Sequence, residues 1–342
     1  MRRRLAVLAC TALSLSMAVG SAGARAKPAP ESWAAPEIEI VVSAGLMATS
    51  SADFRPDEPL TQGELAIVLA SLGLAQVNVT DPKRFVTMRE LDARLVTALG
   101  LRPEARSLRD AIMQAGLAPT PWLGTETIAR MLGLRVNHPR EQEQLELQIK
   151  QTATRAEAAY SVARVLAITE YELEDVRQAG DSFVSPWVTD WQQEVLRRAL
   201  HFVGTPYVWA GTSERPQRLL EGLQPGGFDC SGFAWRVFKL EPYPGAPQLA
   251  DVLQGRTSYA MSGEVPQAKR IRFADLQPAD LLFFGNRGPR SRPAEVGHMG
   301  IYVGNGWMVH SSDRGVALRP MTGWYETRFA WGRRPLAEAG LE

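Results

Sequence analysis

Apolar residues in the first half of the chain recur at helical spacing. Leu65, Val68, Leu69 and Leu72 fall at i, i+3, i+4 and i+7, and Ala159, Val162, Ala163 and Leu166 repeat the pattern. Each set makes one face of an amphipathic helix. Both follow a Thr-x-x-Glu box, Thr61 to Glu64 and Thr154 to Glu157, and a third box runs from Thr87 to Glu90. In such a box the Thr hydroxyl and the Glu carboxylate satisfy backbone N–H groups that have no helical partner. These signals predict an all-α domain over residues 36–178. It reads as a duplication: Ala44-Gly45-Leu46 recurs as Ala115-Gly116-Leu117, Leu72-Gly73-Leu74 as Leu132-Gly133-Leu134, and the Thr87 box as the Thr154 box, giving copies of about 65 residues.

The pattern changes beyond residue 178. Residues 179–186, the end of an acidic stretch and then Gly- and Ser-containing, read as a hinge. The run PWVTDWQQEVLRRALHFVG opens a second domain, residues 187–335, with a helix carrying Val195, Ala199 and Phe202 along one side. Pro225-Gly226-Gly227 signals a turn. Phe233, Ala234, Val237 and Phe238 then return to helical spacing until Glu241-Pro242. Two strands are expected around Asn305-Gly306. Residues 336–342 read as a tail.

The N-terminus has the form of an export signal. Arg2, Arg3 and Arg4 precede an apolar stretch from Leu5 to Val19, and Ala24-Arg25-Ala26 offers small residues for cleavage. Residues 1–26 are therefore expected to be a signal peptide, cleaved rather than lipidated at Cys10, and residues 27–35 a linker. No other segment is long and apolar enough to span a bilayer. The whole chain has 38 basic and 37 acidic residues; without the four arginines of the leader the balance is −3, which argues against a nucleic-acid partner.

The chain has two cysteines, and only Cys230 lies beyond the expected leader. A lone thiol in an oxidising compartment is either buried or chemically useful. Cys230 should sit at the start of a helix, where unpaired N–H groups and the dipole favour a thiolate. Of the four histidines, His138 and His201 read as surface and structural residues. His298 and His310 flank the expected hairpin. A plain two-residue turn would pair residues summing to 611 and place these two on opposite faces. A three-residue loop from Gly304 to Gly306 would pair residues summing to 610, setting His310 opposite Gly300 and diagonal to His298 on the same face, roughly 7–8 Å away. An odd or bulged turn is therefore expected. Two histidines and a cysteine also suit zinc.

Four ordered phrases, GTPYVWAG, FDCSGF, LQPADLLFF and GHMGIYVGNGWMVHSS, resemble the NlpC/P60 cysteine peptidases of bacterial cell walls. The resemblance implies an α+β papain-like domain in which a helix carries the nucleophile against an antiparallel sheet. It implies Cys230 as nucleophile, His298 as base and His310 as the orienting third residue. Tyr207 would help hold the oxyanion, while Asp229 and Ser231 would line the substrate cleft. A Cys at a helix start, in a phrase that resembles a peptidase motif, favours a nucleophile over a zinc ligand, so no metal or other cofactor is expected. Ala210 and Ala279 stand where the family commonly has Gly, and Thr212 to Gly227 is longer than usual. The helical half resembles S-layer homology repeats, which implies a wall-polymer contact through Arg155, the only box with the family's Thr-Arg-Ala-Glu phrase; Gln62 and Met88 hold that place elsewhere. The expected protein is a secreted or cell-envelope endopeptidase cutting peptidoglycan stem peptides, at the γ-D-glutamyl bond to a diamino acid. An amidase or acyl transferase on the same fold, and a catalytically idle wall-binding protein, are the alternatives. Arg287 to Pro293 reads as a solvated loop or a carboxylate-binding one.

Overall fold

A computed structural model describes residues 32–74, 79–135, 146–184, 187–220 and 222–342. The expected signal peptide, His138 and part of the expected hinge lie outside these residues. The first half is helical: α1 (Ala35–Ser43), α2 (Gln62–Ser71), α3 (Met88–Ala98), α4 (Arg102–Gln114), α5 (Leu123–Met131), α6 (Arg155–Ala167) and α7 (Glu170–Ser182). The Gly-Leu pairs are helix stops. Gly45, Gly73, Gly100, Gly116 and Gly133 all adopt φ between +71° and +77°, a conformation that Gly reaches without the Cβ penalty. The Leu after each donates its N–H to the carbonyl five residues back, as Leu46 does to Val41 at 2.8 Å and Leu101 to Val96 at 3.0 Å. This is the Schellman closure of a helix end.

The three Thr boxes meet around one axis. Leu60 N–H donates to the Ala153 carbonyl, Ala153 to Val86 and Val86 to Leu60, at 2.8, 2.8 and 2.9 Å, which closes a ring. The first two N–H groups of each helix go to the loop before the next box: Gln62 and Gly63 to Arg84 and Pro82, Met88 and Arg89 to Gln151 and Ile149, Arg155 and Ala156 to Glu58 and Pro56. The expected two-copy duplication is thereby corrected to a three-fold arrangement of the box. Each box follows an apolar residue (Leu60, Val86, Ala153), and all three are fully buried at the ring.

The second half begins with α8 (Asp190–His201), whose Val195 and Ala199 are buried and are followed by buried Phe202. Two short ribbons follow: β1 (Thr212–Ser213) pairs with β4 (Gly227–Phe228), and β2 (Gln217–Leu219) with β3 (Gly222–Gln224). Next come the nucleophile helix α9 (Cys230–Trp235), which continues as a π-turn over Arg236–Leu240, and α10 (Ser258–Gly263). The main sheet is antiparallel, with β5 (Leu281–Gly285), β6 (Val296–Gly304), β7 (Trp307–Ser312), β8 (Gly315–Pro320) and β9 (Phe329–Arg333) in the spatial order β8-β7-β6-β5-β9; α11 (Trp324–Arg328) lies between its last two strands in sequence. The second half is thus α+β, and α9 packs its fully buried Phe233, Ala234, Val237 and Phe238 toward the sheet.

Two sequence expectations change at the junctions. Residues 179–182 belong to α7, and Gly180 is there for close packing: a Cβ on it would lie 2.8 Å from the Cβ of Glu104 on α4. Phe183 is buried and meets Trp307 edge-on at 5.0 Å, while Asn305 Nδ2 donates to the Val184 carbonyl. At the other end of the helical half, Trp33 and Ala34 of the expected linker are core residues packed with Ile38, Phe54 and Ala159. The helices and the sheet share one continuous apolar core, running from Leu65 and Leu95 to Phe233 and Ile301. They are also joined by reciprocal arginines. Arg130 of α5 donates to the carbonyls of Gly204 and Arg314, and Arg314 donates back to those of Arg130 and Met131 at 3.1 and 3.2 Å.

Candidate active site

Cys230 is the first residue of α9, with Asp229 as N-cap accepting from the Gly232 N–H. The turn is tight because Gly232 faces the Gly211 carbonyl: a Cβ there would approach that oxygen to 1.9 Å. Arg256 gathers this corner. It donates to both Asp229 carboxylate oxygens at 3.2 Å, to Ser231 Oγ at 2.8 Å and to the Ala210 carbonyl at 2.9 Å, while Ser231 Oγ donates to Asp229 Oδ1 at 3.0 Å. Asp229 and Ser231, expected to line a cleft, thus have their polar atoms engaged beside the nucleophile. Arg256 carried no sequence signal, because its role depends on a fold that returns it to a turn some 27 residues earlier.

The hairpin has the register that brings the histidines together. Ile301 pairs with Val309 and Tyr302 with Met308, both summing to 610, and the count shifts to Gly304 with Trp307. The turn itself is the two-residue Asn305-Gly306, at φ +49° and +78°, which suits a type I′ hairpin. The expected three-residue loop is replaced by that turn and an irregularity at Val303, which inserts the same extra residue. His298 Nε2 and His310 Nδ1 lie 2.8 Å apart. Pairing of β6 with β7 begins only at Ile301, so among the strands only β5 pairs with the start of β6, as in His298 with Phe284. There the Met299 N–H donates to the Cys230 sulfur, bringing the thiol against the strand one residue from His298.

The environment sets protonation. Burial pushes the Cys230 thiol up to about 11, the Asp229 carboxylate adds to this, and the N–H groups of Met299 and Ser231 oppose it. The pull of the helix start toward a thiolate is outweighed, first by burial and then by the Asp229 cap already placed there. Burial lowers His298 to about 4. His310 is fully buried and its pKa is held well below the ordinary imidazole range by burial, then by His298 and Arg319. The pair therefore rests as thiol and neutral imidazole. Tyr207 is joined through its backbone to Phe228, and its phenol is raised by burial and by Cys230, so it stays a hydroxyl donor. Phe284, Trp324 and Tyr325 surround His298 at ring distances of 5.7, 6.3 and 6.1 Å. The aromatic pair on α11 was not singled out from the sequence.

Two of the three noted departures from the family pattern lie in left-handed backbone: Ala210 at φ +60° and Ala279 at +71°. The common Gly at these places removes a steric penalty that Ala bears. Arg155 is buried; it donates to the carbonyls of Phe54 and Met47 and pairs with Glu64 at 2.5 Å. Gln62 and Met88 at the equivalent places are buried too. Arg155, expected to contact wall polymer, thus braces its box to Glu64 of the first box and to the carbonyls of Met47 and Phe54. In the loop from 287 to 293, Arg287 and Arg292 both pair with Glu295, at 3.2 and 3.5 Å.

Residues 204–334, which hold Tyr207, Cys230, His298 and His310 and run through β9, match the NlpC/P60 family. The C-terminal domain belongs to the NlpC/P60 family. Residues 27–66 match the S-layer homology domain. A probable endopeptidase of Mycobacterium tuberculosis is 36% identical over 126 residues, which are 36% of this chain and 24% of that protein. A gamma-D-glutamyl-L-lysine dipeptidyl-peptidase of Bacillus subtilis is 28% identical over 130 residues, 38% of this chain and 35% of that protein. An NlpC/P60 family crystal structure from Bacillus cereus is 27% identical, with a TM-score of 0.32 over 42% of this chain and 40% of that one. The chain spans about a quarter to a third of the length of these curated relatives. No helix among the described residues is long and apolar enough to cross a membrane.

Proposed function

We propose that this chain is a cell-envelope peptidoglycan endopeptidase that hydrolyses an amide bond of the stem peptide through Cys230, His298 and His310. The γ-D-glutamyl bond to a diamino acid is the favoured target, in keeping with the named activity of the Bacillus subtilis relative. The observation that carries the reading is the line of contacts from the Cys230 sulfur to the Met299 N–H on the strand of His298, and from His298 Nε2 to His310 Nδ1 at 2.8 Å.

The tautomers follow from that contact. To receive a proton at Nδ1, His298 must carry its own hydrogen on Nε2 and donate it to His310 Nδ1; His310 then bears its hydrogen on Nε2. The thiol proton passes to His298 Nδ1 as the sulfur bonds to the carbonyl carbon. The Cys230 N–H, a first-turn donor that no helical carbonyl can satisfy, and the Tyr207 hydroxyl stabilise the oxyanion. The C–N bond breaks as His298 returns the proton to the leaving amine. Water then attacks the thioester, His298 takes its proton, and the sulfur leaves and is reprotonated.

The helical half serves this site as scaffold, since its apolar core is continuous with that of the sheet. Digestion of purified wall followed by mass spectrometry of the muropeptides tests the proposal. New termini at D-glutamate, lost in Cys230→Ala, are expected; a free muramyl lactate instead indicates an amidase. Unchanged cleavage by Cys230→Ala overturns the mechanism. Full-length Cys230→Ala sedimenting with wall tests wall attachment separately.

A further inference from the structure

His310 Nε2 points away from His298, and it is buried without a hydrogen-bond partner. The other groups around it come from three elements. On β7 and β8, His310 pairs with Ala317 and Met308 with Arg319, so Arg319 lies on the face of His310, one diagonal step away, a separation of roughly 7–8 Å. Arg319 Nε is likewise buried and unpartnered, and among the described residues Arg319 forms no ion pair. From α11, Tyr325 meets His310 edge-on at 5.1 Å and lies 5.9 Å from the Arg319 guanidinium carbon. His298 faces it from β6, and Phe284 beyond His298 is apolar. Asp313 and Arg314 in the β7–β8 turn are the remaining charges: both act on Arg319 and Tyr325, and the Asp313 carboxylate also acts directly on His298, where it favours the protonated ring.

An unpaired cation behind the third residue of a relay has a chemical consequence. When His298 takes the thiol proton it becomes an imidazolium donating to His310 Nδ1. If that second proton crossed to His310, the charge would move away from the sulfur and the leaving amine. We propose that Arg319 is a positioning residue that confines the positive charge to His298, a fixed cation that makes His310 a neutral acceptor throughout the cycle. The proposal rests on the reading of His298 and His310 as a catalytic pair. Burial disfavours the charge on Arg319, and a cation kept there beside the histidine pair without a carboxylate partner marks a functional-site candidate. Arg319 also lowers the basicity of His310.

The test separates this inference from the mechanism beneath it. In Cys230→Ala protein, where turnover is not needed, histidine 15N shifts report the tautomer and titration of both rings. Arg319→Met, with Arg319→Gln as the alternative if Met impairs folding, should raise the titration midpoint of the pair by about one pH unit. Arg319→Lys should stay near the parent. In the active enzyme the acid limb of kcat/KM should move up by the same amount, so that activity falls about tenfold at pH values below both midpoints and least at high pH. Unchanged midpoints in Arg319→Met and Arg319→Gln overturn the inference. So does an equal loss of activity at every pH in all three variants, which is the signature of a purely structural role. Wall cleavage that persists in Cys230→Ala removes the catalytic pair and leaves the titration result standing as a fact about Arg319 alone.

Discussion

Replacing Arg130 by Met tests whether the helices and the sheet are one cooperative unit. Arg130 is fully buried and pairs with Glu146 at 2.8 Å and Glu126 at 3.3 Å. It also donates to the carbonyls of Gly204, at 2.9 Å, and Arg314, both in the second half of the chain. Met keeps much of the length and removes the charge. Glu146 retains Arg135 at 2.6 Å, but no other cation is paired with Glu126 among the described residues. Leaving one buried carboxylate without a cation costs about 3–5 kcal/mol. The two lost carbonyl bonds add about 1 kcal/mol each, and packing of the Met side chain offsets about 2 kcal/mol. The net loss is about 4 kcal/mol, equivalent to a fall in Tm of about 6 °C for a unit of this size. Thermal and urea melts followed by far-UV circular dichroism, dominated by the helices, and by tryptophan fluorescence, weighted to the second half because seven of the nine tryptophans lie there, check this. One coincident transition at lower temperature is expected, and adding Glu126→Gln should restore at least 1 kcal/mol by neutralising the stranded carboxylate. A loss below 1 kcal/mol, or separate melting of the two signals, refutes the reasoning.

Three further outcomes follow from the site. Because the thiol is raised to about 11 and His298 lowered to about 4, iodoacetamide should alkylate Cys230 slowly at pH 7 and faster as pH rises, and kcat/KM should hold from neutrality down to about pH 5; a thiolate reactivity plateau near pH 5 contradicts this. Gly232→Ala drives a methyl group into the Gly211 carbonyl and should cut wall cleavage more than tenfold by displacing the start of α9, measured on soluble protein of unchanged secondary structure. Ala210→Gly removes a left-handed Ala at φ +60° and should stabilise the fold by about 0.5–1 kcal/mol, read as an increase in the urea midpoint.

The sequence by itself determined the local chemistry. Thr61 and Thr154 accept the N–H three residues on, and Glu90 accepts the Thr87 N–H, because a side chain three residues from its backbone partner is a property of the chain alone. Cys230 at a helix start followed from the turn before it and the apolar spacing after it. The parity of two strands demanded an extra residue near Asn305 if His298 and His310 were to meet, and the hairpin contains one. What only the tertiary structure decided depends on long-range partners. The three-fold ring of Leu60, Val86 and Ala153 was read as a two-fold repeat because its bonds join residues up to about ninety positions apart. Gly180 looked like a flexible link until Glu104 was beside it. Arg155 looked available until its carbonyl and Glu64 partners surrounded it. The charge state of Cys230 could not be read from its helix position, because burial and the Asp229 cap act on the same sulfur against the dipole. Arg256 and Arg319 were silent in the sequence for the same reason: an arginine has a role only once the fold has settled which groups lie within its reach.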